Sequence, residues 1–436
     1  MMNSILIRAE DKNIWERRAP LTPEDVKEII TKSGAVVYLQ NSDKRFFAAS
    51  DYTAAGARVC EDMQPGDIIL GIKEIPVEKL LNHKVYVLFS HTIKGQPANM
   101  PLLKRIIDSH STLIDYERVI DAQKRRLIYF GNYAGDAGAI DILWLMGQYW
   151  QQKGINTPFN QYKQALNYQS VEEARRHLRE IGARIKSEGL PDEISPVVIG
   201  ILGYGNVSEG AQQILGSLPM ERINPQRLKS LVESEPVDRH KVYLTIFKEE
   251  HLVKHKLDMP FQLQDYYQHP ENYVSQFEQY LPYITILVNA IFWDSRYPRF
   301  VTWDGLKKLY QDHPRPKLCG IADITCDVEG SIECNVKTTD PGRPAYLCDP
   351  RTQTVTDGHQ GDGIVLLAVD NLPAELARDA SLFFSKQLKP FVPSLVNADF
   401  TAPLVEAHLA PELQRAVIVY QGRLTPDYEY LKQYIS

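Results

Sequence analysis

Three short apolar runs in the first third of the chain each end in a group able to move a proton. Ile68–Ile72 leads into Lys73-Glu74, Val85–Ser90 into His91, and Leu113–Tyr116 into Glu117. If these runs are parallel strands of one sheet, their last residues converge outside its carboxyl edge, where open α/β sheets bind ligands. Lys73, Glu74, His91 and Glu117 are therefore candidate acid–base groups. Histidine titrates near neutral pH unaided, whereas lysine does so only when burial or a neighbouring cation lowers its pKa. Each residue alone has a plainer reading: a solvated lysine, a satisfied histidine, a carboxylate at a helix start. Their recurrence at equivalent places favours a site. Arg18, in Arg17-Arg18-Ala19-Pro20, is a candidate for gripping a carboxylate through paired N–H groups, its plainer reading being a surface arginine.

A second feature lies further along. The Val- and Ile-rich run Ser195–Leu202 enters Gly203-Tyr204-Gly205-Asn206-Val207-Ser208 directly and then a helical stretch. A strand that turns tightly into a helix aims backbone N–H groups and the positive helix end at a pyrophosphate. Gly203 permits the turn, Gly205 lets the backbone approach phosphate, and Asn206, Val207 and Ser208 open the helix, Ser208 being small enough for close packing. A purely structural turn is the alternative. Roughly 20 residues on, where an acidic residue marks an NAD site, the chain reads Met220-Glu221-Arg222-Ile223-Asn224-Pro225. A strand ending at Asn224 leaves no carboxylate at its tip and offers Arg222 or Arg227 to a 2′-phosphate, which favours NADP over NAD. Glu221 at the tip would reverse that choice.

The elements that must position these groups follow from apolar patterning. Ser4–Arg8, Ala35–Leu39, Asp67–Ile72, Lys84–Ser90 and Thr112–Asp115 read as buried parallel strands, a doubly wound α/β pattern. Thr22 is placed to cap a helix that has Pro23 at its first position and stops before Gly34. Gly135–Tyr149 is an apolar helix able to bridge two domains. A second unit begins near residue 195. A helix from Ser170 to about Ser187, with capping-box spacing, precedes it, and strands are expected at Val242–Ile246, Ile284–Ala290, Leu318–Asp323 and Ile364–Val369. Helices are expected over Ala374–Leu388 and Glu412–Tyr420, and His251–His269 reads as a surface insertion.

Composition excludes several classes. The 436 residues are 44% apolar and 24% charged, which suits two folded α/β domains. A net charge of −6 argues against nucleic-acid or anionic-membrane partners, though not against a local basic pocket. No apolar run approaches the ~20 residues of a membrane span. The first residues lack a secretion signal, which points to the cytoplasm. Five cysteines without C-x-x-C spacing read as reduced thiols rather than a zinc site, and no metal is expected.

Taken together, Glu16–Pro23, Ile72-Lys73-Glu74-Ile75-Pro76, Phe89-Ser90-His91-Thr92-Ile93-Lys94, Asp115-Tyr116-Glu117, Gly203–Ser208, Gly330-Ser331-Ile332-Glu333 and Val369-Asp370-Asn371-Leu372-Pro373 resemble successive motifs of the lysine–ketoglutarate reductase and lysine-forming saccharopine dehydrogenase family. The likeness spans essentially the whole chain and, through Gly330–Glu333, is closer to the reductase half of the fused animal enzyme. It implies the alanine dehydrogenase/transhydrogenase fold: two Rossmann-like domains with a cleft between them. The first is discontinuous (1–140 with 371–436) and handles substrate, and the second (141–370) binds the dinucleotide. It further implies Lys73 and His91 as the acid–base pair, with Glu74 and Glu117 adjusting it. Arg18, Lys94 and Asp370 fall at substrate-pocket positions. The substrates implied are L-lysine, 2-oxoglutarate and saccharopine, with NADP or NAD as cofactor; a homo-oligomer is compatible. Two departures stand out: Asp136 replaces an apolar residue, and Glu74 follows the fungal pattern. A separate protein is expected to carry the glutamate-forming step. An alanine-dehydrogenase-type enzyme and a catalytically idle nucleotide sensor are the alternatives.

Overall fold

The computed structural model describes residues 2–234 and 236–435. The chain forms two compact units, Met1–Phe130 with Ala377–Ser436, and Gly131–Leu376. Helix Tyr133–Gln152, expected to bridge domains, lies wholly in the second unit.

The first unit is built on β1 (Ile5–Ile7), β2 (Val37–Gln40), β3 (Arg58–Cys60), β4 (Ile68–Leu70), β5 (Val85–Leu88) and β6 (Thr112–Asp115), completed by β17 (Val417–Tyr420) and β18 (Arg423–Leu424) after the chain returns. The sheet order is β18-β17-β6-β5-β4-β1-β2-β3; β1 to β6 are parallel, and β17 pairs antiparallel with both β6 and β18. Every residue of β1, β4, β5 and β6 is buried, so these strands read as continuous apolar runs. Helix Pro23–Ser33 forms as the sequence dictates. Thr22 Oγ1 accepts from the Asp25 N–H at 3.3 Å, and Gly34 takes a left-handed φ of 70° that ends the helix.

The second unit carries β7 (Val198–Leu202), β8 (Met220–Arg222), β9 (Val242–Phe247), β12 (Ile286–Asn289), β13 (Gly320–Asp323), β14 (Ala345–Asp349), β15 (Thr354–Asp357) and β16 (Ile364–Leu367), in the order β15-β14-β16-β13-β12-β7-β9-β8. Strands β8, β9, β7, β12, β13 and β16 are parallel; β14 pairs antiparallel with both β16 and β15. The third strand in chain order, β9, therefore pairs with β7, and the second, β8, is the edge. A separate ribbon of β10 (Val253–His255) and β11 (Tyr273–Ser275) comes from the expected surface insertion and its neighbour. That stretch is only partly superficial: Leu257 and Met259 are exposed, while Leu252, Val253 and Tyr266 join the core.

Two expectations need correction. Glu412–Tyr420 is not a helix: only Pro411–Arg415 is helical, and Val417–Tyr420 pairs with β6. Val417-Ile418-Val419 is β-branched, and a free edge beside β6 gives it a ladder to join. Helix Ala377–Leu388 begins later than Ala374, because a short 3₁₀ turn at Leu372–Ala374 precedes it.

Candidate active site and dinucleotide turn

The loops after β4, β5 and β6 carry the four expected acid–base residues, Lys73 and Glu74, His91, and Glu117, at neighbouring strand ends. After β5 the chain turns sharply, and His91 adopts a left-handed φ of 51°, a conformation that costs a non-glycine residue about 1 kcal/mol or more and persists only when its surroundings hold it. Asp115, the buried last residue of β6, supplies that hold. Its carboxylate accepts from the Ser90 hydroxyl, from the Ser90 N–H at 3.0 Å and from the Glu117 N–H at 2.8 Å. Burial pushes its pKa up to about 6 against the lowering effect of those bonds. Ser90 Oγ lies 2.8 Å from Thr92 Oγ1, and Asn99 Nδ2 donates to the His91 carbonyl at 3.0 Å.

The catalytic candidates meet at one bond. His91 Nδ1 lies 2.6 Å from Glu74 Oε1. Burial acts to raise the Glu74 pKa, but the hydrogen bond and charge of His91, with Lys12 Nζ 3.4 Å from Oε2, prevail and bring it to about 2. An ionised Glu74 can only accept, so Nδ1 carries a proton, and whenever the imidazole is neutral it is Nε2 that presents the lone pair. One face of a partly exposed imidazole is thereby prepared to take up a proton.

Lys73 precedes Glu74 and is half-buried; its backbone is fixed from below. Buried Glu10 accepts from the N–H groups of Ile72 at 2.7 Å and Lys73 at 3.0 Å. Buried Arg8 pairs with Glu10 at 3.2 Å and donates to the Lys73 carbonyl at 3.4 Å. Gly71 makes room for this: a Cβ there would lie 2.8 Å from Arg8 Cδ.

The remaining candidates are placed less alike. Glu117 pairs with Arg126 at 3.0 Å. Arg18 is buried, with Nε and Nη2 bonded to Glu16 at 2.7 and 2.6 Å and its guanidinium 3.9 Å from the Phe130 ring centroid. The paired grip expected for a ligand carboxylate is thus made on Glu16. Lys94 is exposed on the loop after His91. Asp370 is exposed in the second unit, its N–H bonded to the Thr339 carbonyl. Asp136, the unusual residue in its motif, is buried and 3.4 Å from Arg175 of helix Val171–Glu188, an ion pair between helices.

In the second unit the glycine turn has the shape a dinucleotide requires. Gly203 has φ 91°, and a Cβ on it would lie 2.8 Å from Ile291 Cγ2. A Cβ on Gly205 would meet nothing within 4 Å, so space lies open above the turn. Helix Asn206–Leu215 starts there, and no side chain bonds its cap, so the first N–H groups at Asn206 and Val207 face that space. Ser208 is buried and accepts from Gln212 Nε2 at 3.0 Å. The tightest packing falls elsewhere: a Cβ on Gly135 would lie 1.8 Å from the Val207 carbonyl, and one on Gly210 2.2 Å from the Asn132 carbonyl. A cavity of about 410 Å³ adjoins the turn, lined among others by Phe247, Glu249, Tyr267, Ile291 and Trp293, a size and aromatic character suited to a nucleoside. The residues present therefore fit a dinucleotide. Arg222 ends edge strand β8, one strand removed from β7, and does not line the cavity.

Comparison with known proteins bears on the family and the fold. The N-terminal domain of the alanine dehydrogenase/PNT family matches residues 6–137, and its C-terminal domain matches residues 320–427. The chain belongs to the alanine dehydrogenase/PNT family. Mitochondrial alpha-aminoadipic semialdehyde synthase of Rattus norvegicus is 36% identical over 98% of this chain and 47% of its own length. The Arabidopsis thaliana alpha-aminoadipic semialdehyde synthase is 37% identical over 98% of this chain and 41% of its own. This alanine dehydrogenase/PNT chain thus spans about half the length of those relatives. A saccharopine dehydrogenase [NAD(+), L-lysine-forming] of Candida glabrata is 27% identical over 93% of this chain and 95% of its own length. Among solved structures, an L-alanine dehydrogenase shares the fold with a TM-score of 0.62 at 17% identity, covering 99% of this chain and all of that one. A transhydrogenase from Sinorhizobium meliloti follows at 0.55 and 14%, covering 97% and 99%. Among the described residues no helix is long and apolar enough to cross a membrane.

Sequence reasoning named Lys73, Glu74 and His91 but missed Glu10 and Asp115, which hold them. Their signal was available: Asp115 ends strand β6, and Glu10 follows the apolar strand β1 by three residues. Asn289, Asp323, Ser331 and Asn335, a buried network after β12 and β13, were also missed.

Proposed function

We propose that the protein is a nicotinamide-dependent oxidoreductase that couples L-lysine to 2-oxoglutarate to form saccharopine, or runs that reaction in reverse. The observation that carries this reading is the 2.6 Å bond between His91 and ionised Glu74 beside Lys73, in a chain similar along most of its length to a lysine-forming saccharopine dehydrogenase. The first unit would handle the substrates and the second the dinucleotide, through Gly203, Gly205, Asn206, Val207 and Ser208. When bound, the nicotinamide exchanges a hydride with the substrate carbon.

The chain's own residues account for the proton movements. Lysine's side-chain ammonium must lose a proton before its nitrogen attacks the keto carbon, and His91 Nε2 is the lone pair prepared to receive it. The carbinolamine must then gain a proton on its hydroxyl to expel water and leave the imine. Lys73 and the protonated His91 are the donors at hand, and groups so placed contribute about 10²- to 10⁴-fold to rate. Glu74 holds the His91 tautomer through both steps. Lys94 would meet a substrate carboxylate and Asp370 a substrate ammonium. Arg18 would meet a carboxylate in exchange for Glu16. Arg222 gives no support to NADPH over NADH. Five free thiols suit a reducing compartment, and the cytoplasm is our assignment.

The test follows absorbance at 340 nm with lysine, 2-oxoglutarate and NADH or NADPH. Oxidation is expected only when both substrates are present. Folded protein that oxidises neither cofactor under those conditions would sink the reading.

A further inference from the structure

The strand order of the second unit moves the residue that tells NAD from NADP. In a dinucleotide-binding sheet the adenosine ribose lies at the tip of the strand beside the glycine-turn strand, and a carboxylate there takes the 2′-hydroxyl. That neighbour is ordinarily the next strand in sequence, which is why the residue is sought about 20 positions on. Here the next strand, β8, is the edge, and β9 pairs with β7 over its whole length, from Val198↔Tyr243 to Leu202↔Phe247. The carboxylate of Glu221 on β8 is engaged elsewhere, 2.9 Å from Nζ of Lys241, the residue that precedes β9 at its amino end.

The tip of β9 reads Phe247-Lys248-Glu249, and Glu249 lines the same cavity as Gly203 and Gly205. Two tyrosines hold its carboxylate: Tyr267 Oη donates to Oε1 at 2.7 Å and Tyr204 Oη to the same oxygen at 3.3 Å. Tyr204 stands between the two glycines of the turn, so the carboxylate is tied to the loop that would carry the pyrophosphate. Among the described residues no hydrogen bond reaches Oε2. Lys248, the adjacent cation, is exposed, has Nζ 5.9 Å from the Tyr204 ring centroid, and is not in the cavity wall.

We infer that Glu249 is the cofactor-discriminating residue of this chain and that it selects NAD(H) over NADP(H). An anchored carboxylate with one open oxygen accepts a hydrogen bond from a 2′-hydroxyl. Against a 2′-phosphate, which brings a like charge and three acceptor oxygens to the same place, it offers only repulsion. The inference rests on the dinucleotide half of the proposed function and is independent of which substrates the first unit takes.

The experiment titrates the fluorescence of the full chain, Trp293 being in the cavity wall, with NADH and with NADPH, neither lysine nor 2-oxoglutarate being present. Wild-type protein is expected to bind NADH at least about tenfold more tightly than NADPH. Glu249→Ala should weaken NADH binding by about tenfold and leave NADPH binding equal or stronger, so that the ratio collapses. Glu249→Asp, which keeps the charge on a shorter arm, should retain most of the preference. Equal or tighter NADPH binding in wild type, or an unchanged ratio in Glu249→Ala, overturns the inference. Binding of neither cofactor by folded protein overturns the dinucleotide reading with it. NADH preference without lysine-dependent oxidation leaves Glu249 standing and removes only the saccharopine assignment.

Discussion

The strand ends of the two units are prepared for different work. In the first, the groups behind the loops are ionisable and held in ion pairs: Arg8 with Glu10 and Asp11, Arg18 with Glu16, Glu74 with His91 and Lys12. In the second, the residues after β12 and β13 form a mostly neutral network around one acid. Asn289 Nδ2 donates to Asp323 Oδ1 and Ser331 Oγ, both at 2.8 Å, and Asn335 Nδ2 donates to Asp323 Oδ2 at 2.7 Å. Breaking a buried ion pair leaves a bare charge and costs several kcal/mol, so such pairs hold a loop in one geometry. That suits a unit proposed to hold acid–base groups within a fraction of an ångström. The other unit offers backbone N–H groups, an aromatic wall and glycines where atoms must pass, which suits holding a long ligand by shape.

The sharpest way to break this contrast is at His91. His91→Gln should lower turnover with lysine and 2-oxoglutarate by about 10²- to 10⁴-fold while leaving NADH affinity within about twofold. A comparable loss in cofactor binding would mean that the two regions are not separate in role. Next in size is Gly135→Ala, whose Cβ would meet backbone at 1.8 Å. It should cost about 3 kcal/mol in denaturant unfolding and weaken dinucleotide binding, because Val207 must move. A stability equal to wild type would show that the helices do not touch as described.

A third test concerns two acids that, among the described residues, have no cationic partner. Asp141 and Glu375 are both fully buried in the second unit; Gln164 Nε2 bonds Glu375 at 3.2 Å and the Ala165 N–H bonds Asp141 at 2.7 Å. Burial raises both, Asp141 to about 7 against the lowering effect of its bond with Glu375, while the charge and bond of Asp141 raise Glu375 further. Raised carboxyls favour the fold below their unfolded pKa near 4, and that contribution is lost as pH climbs through the folded value. Stability should therefore fall from about pH 4 through about pH 7, and Glu375→Gln should flatten that fall. Asp115→Asn should flatten only the lower part, near pH 4 to 6. Identical pH–Tm curves for wild type and Glu375→Gln would refute a shared proton. The smallest effect is Gly205→Ala: no atom stands in the way, so stability should hold within about 0.5 kcal/mol while NADH affinity falls about tenfold, as isothermal titration would read.

Much of this was legible in the sequence where chemistry and local pattern coincide. The apolar runs ending in Lys73, His91 and Glu117 located three parallel strands, and Thr22, Pro23 and Gly34 bounded a helix to the residue. Gly203 and Gly205 named a turn whose geometry holds. What escaped depends on pairing. Val417–Tyr420 is a strand because β6 offers it an edge, and Glu412–Arg415 before it hides the change of period. The exchange of β8 and β9 in the sheet cannot be read from a linear offset, which points to Arg222 on β8 and passes over Glu249 at the tip of β9. Arg18 was recognised as a carboxylate binder, but its nearest carboxylate, Glu16, lies two residues away in the same chain.

The return of the chain to its first unit has a consequence for biosynthesis. A ribosome delivers residues from the amino end, so the second unit owns all its strands once Leu376 has emerged. The first unit, though begun earlier, must wait for Val417–Tyr420 to close the open side of β6. Until then that parallel sheet presents unpaired N–H and C=O groups to any passing strand. The part of the molecule that is translated first is therefore the part finished last, and it is there, rather than at the glycine turn, that a folding helper would be needed.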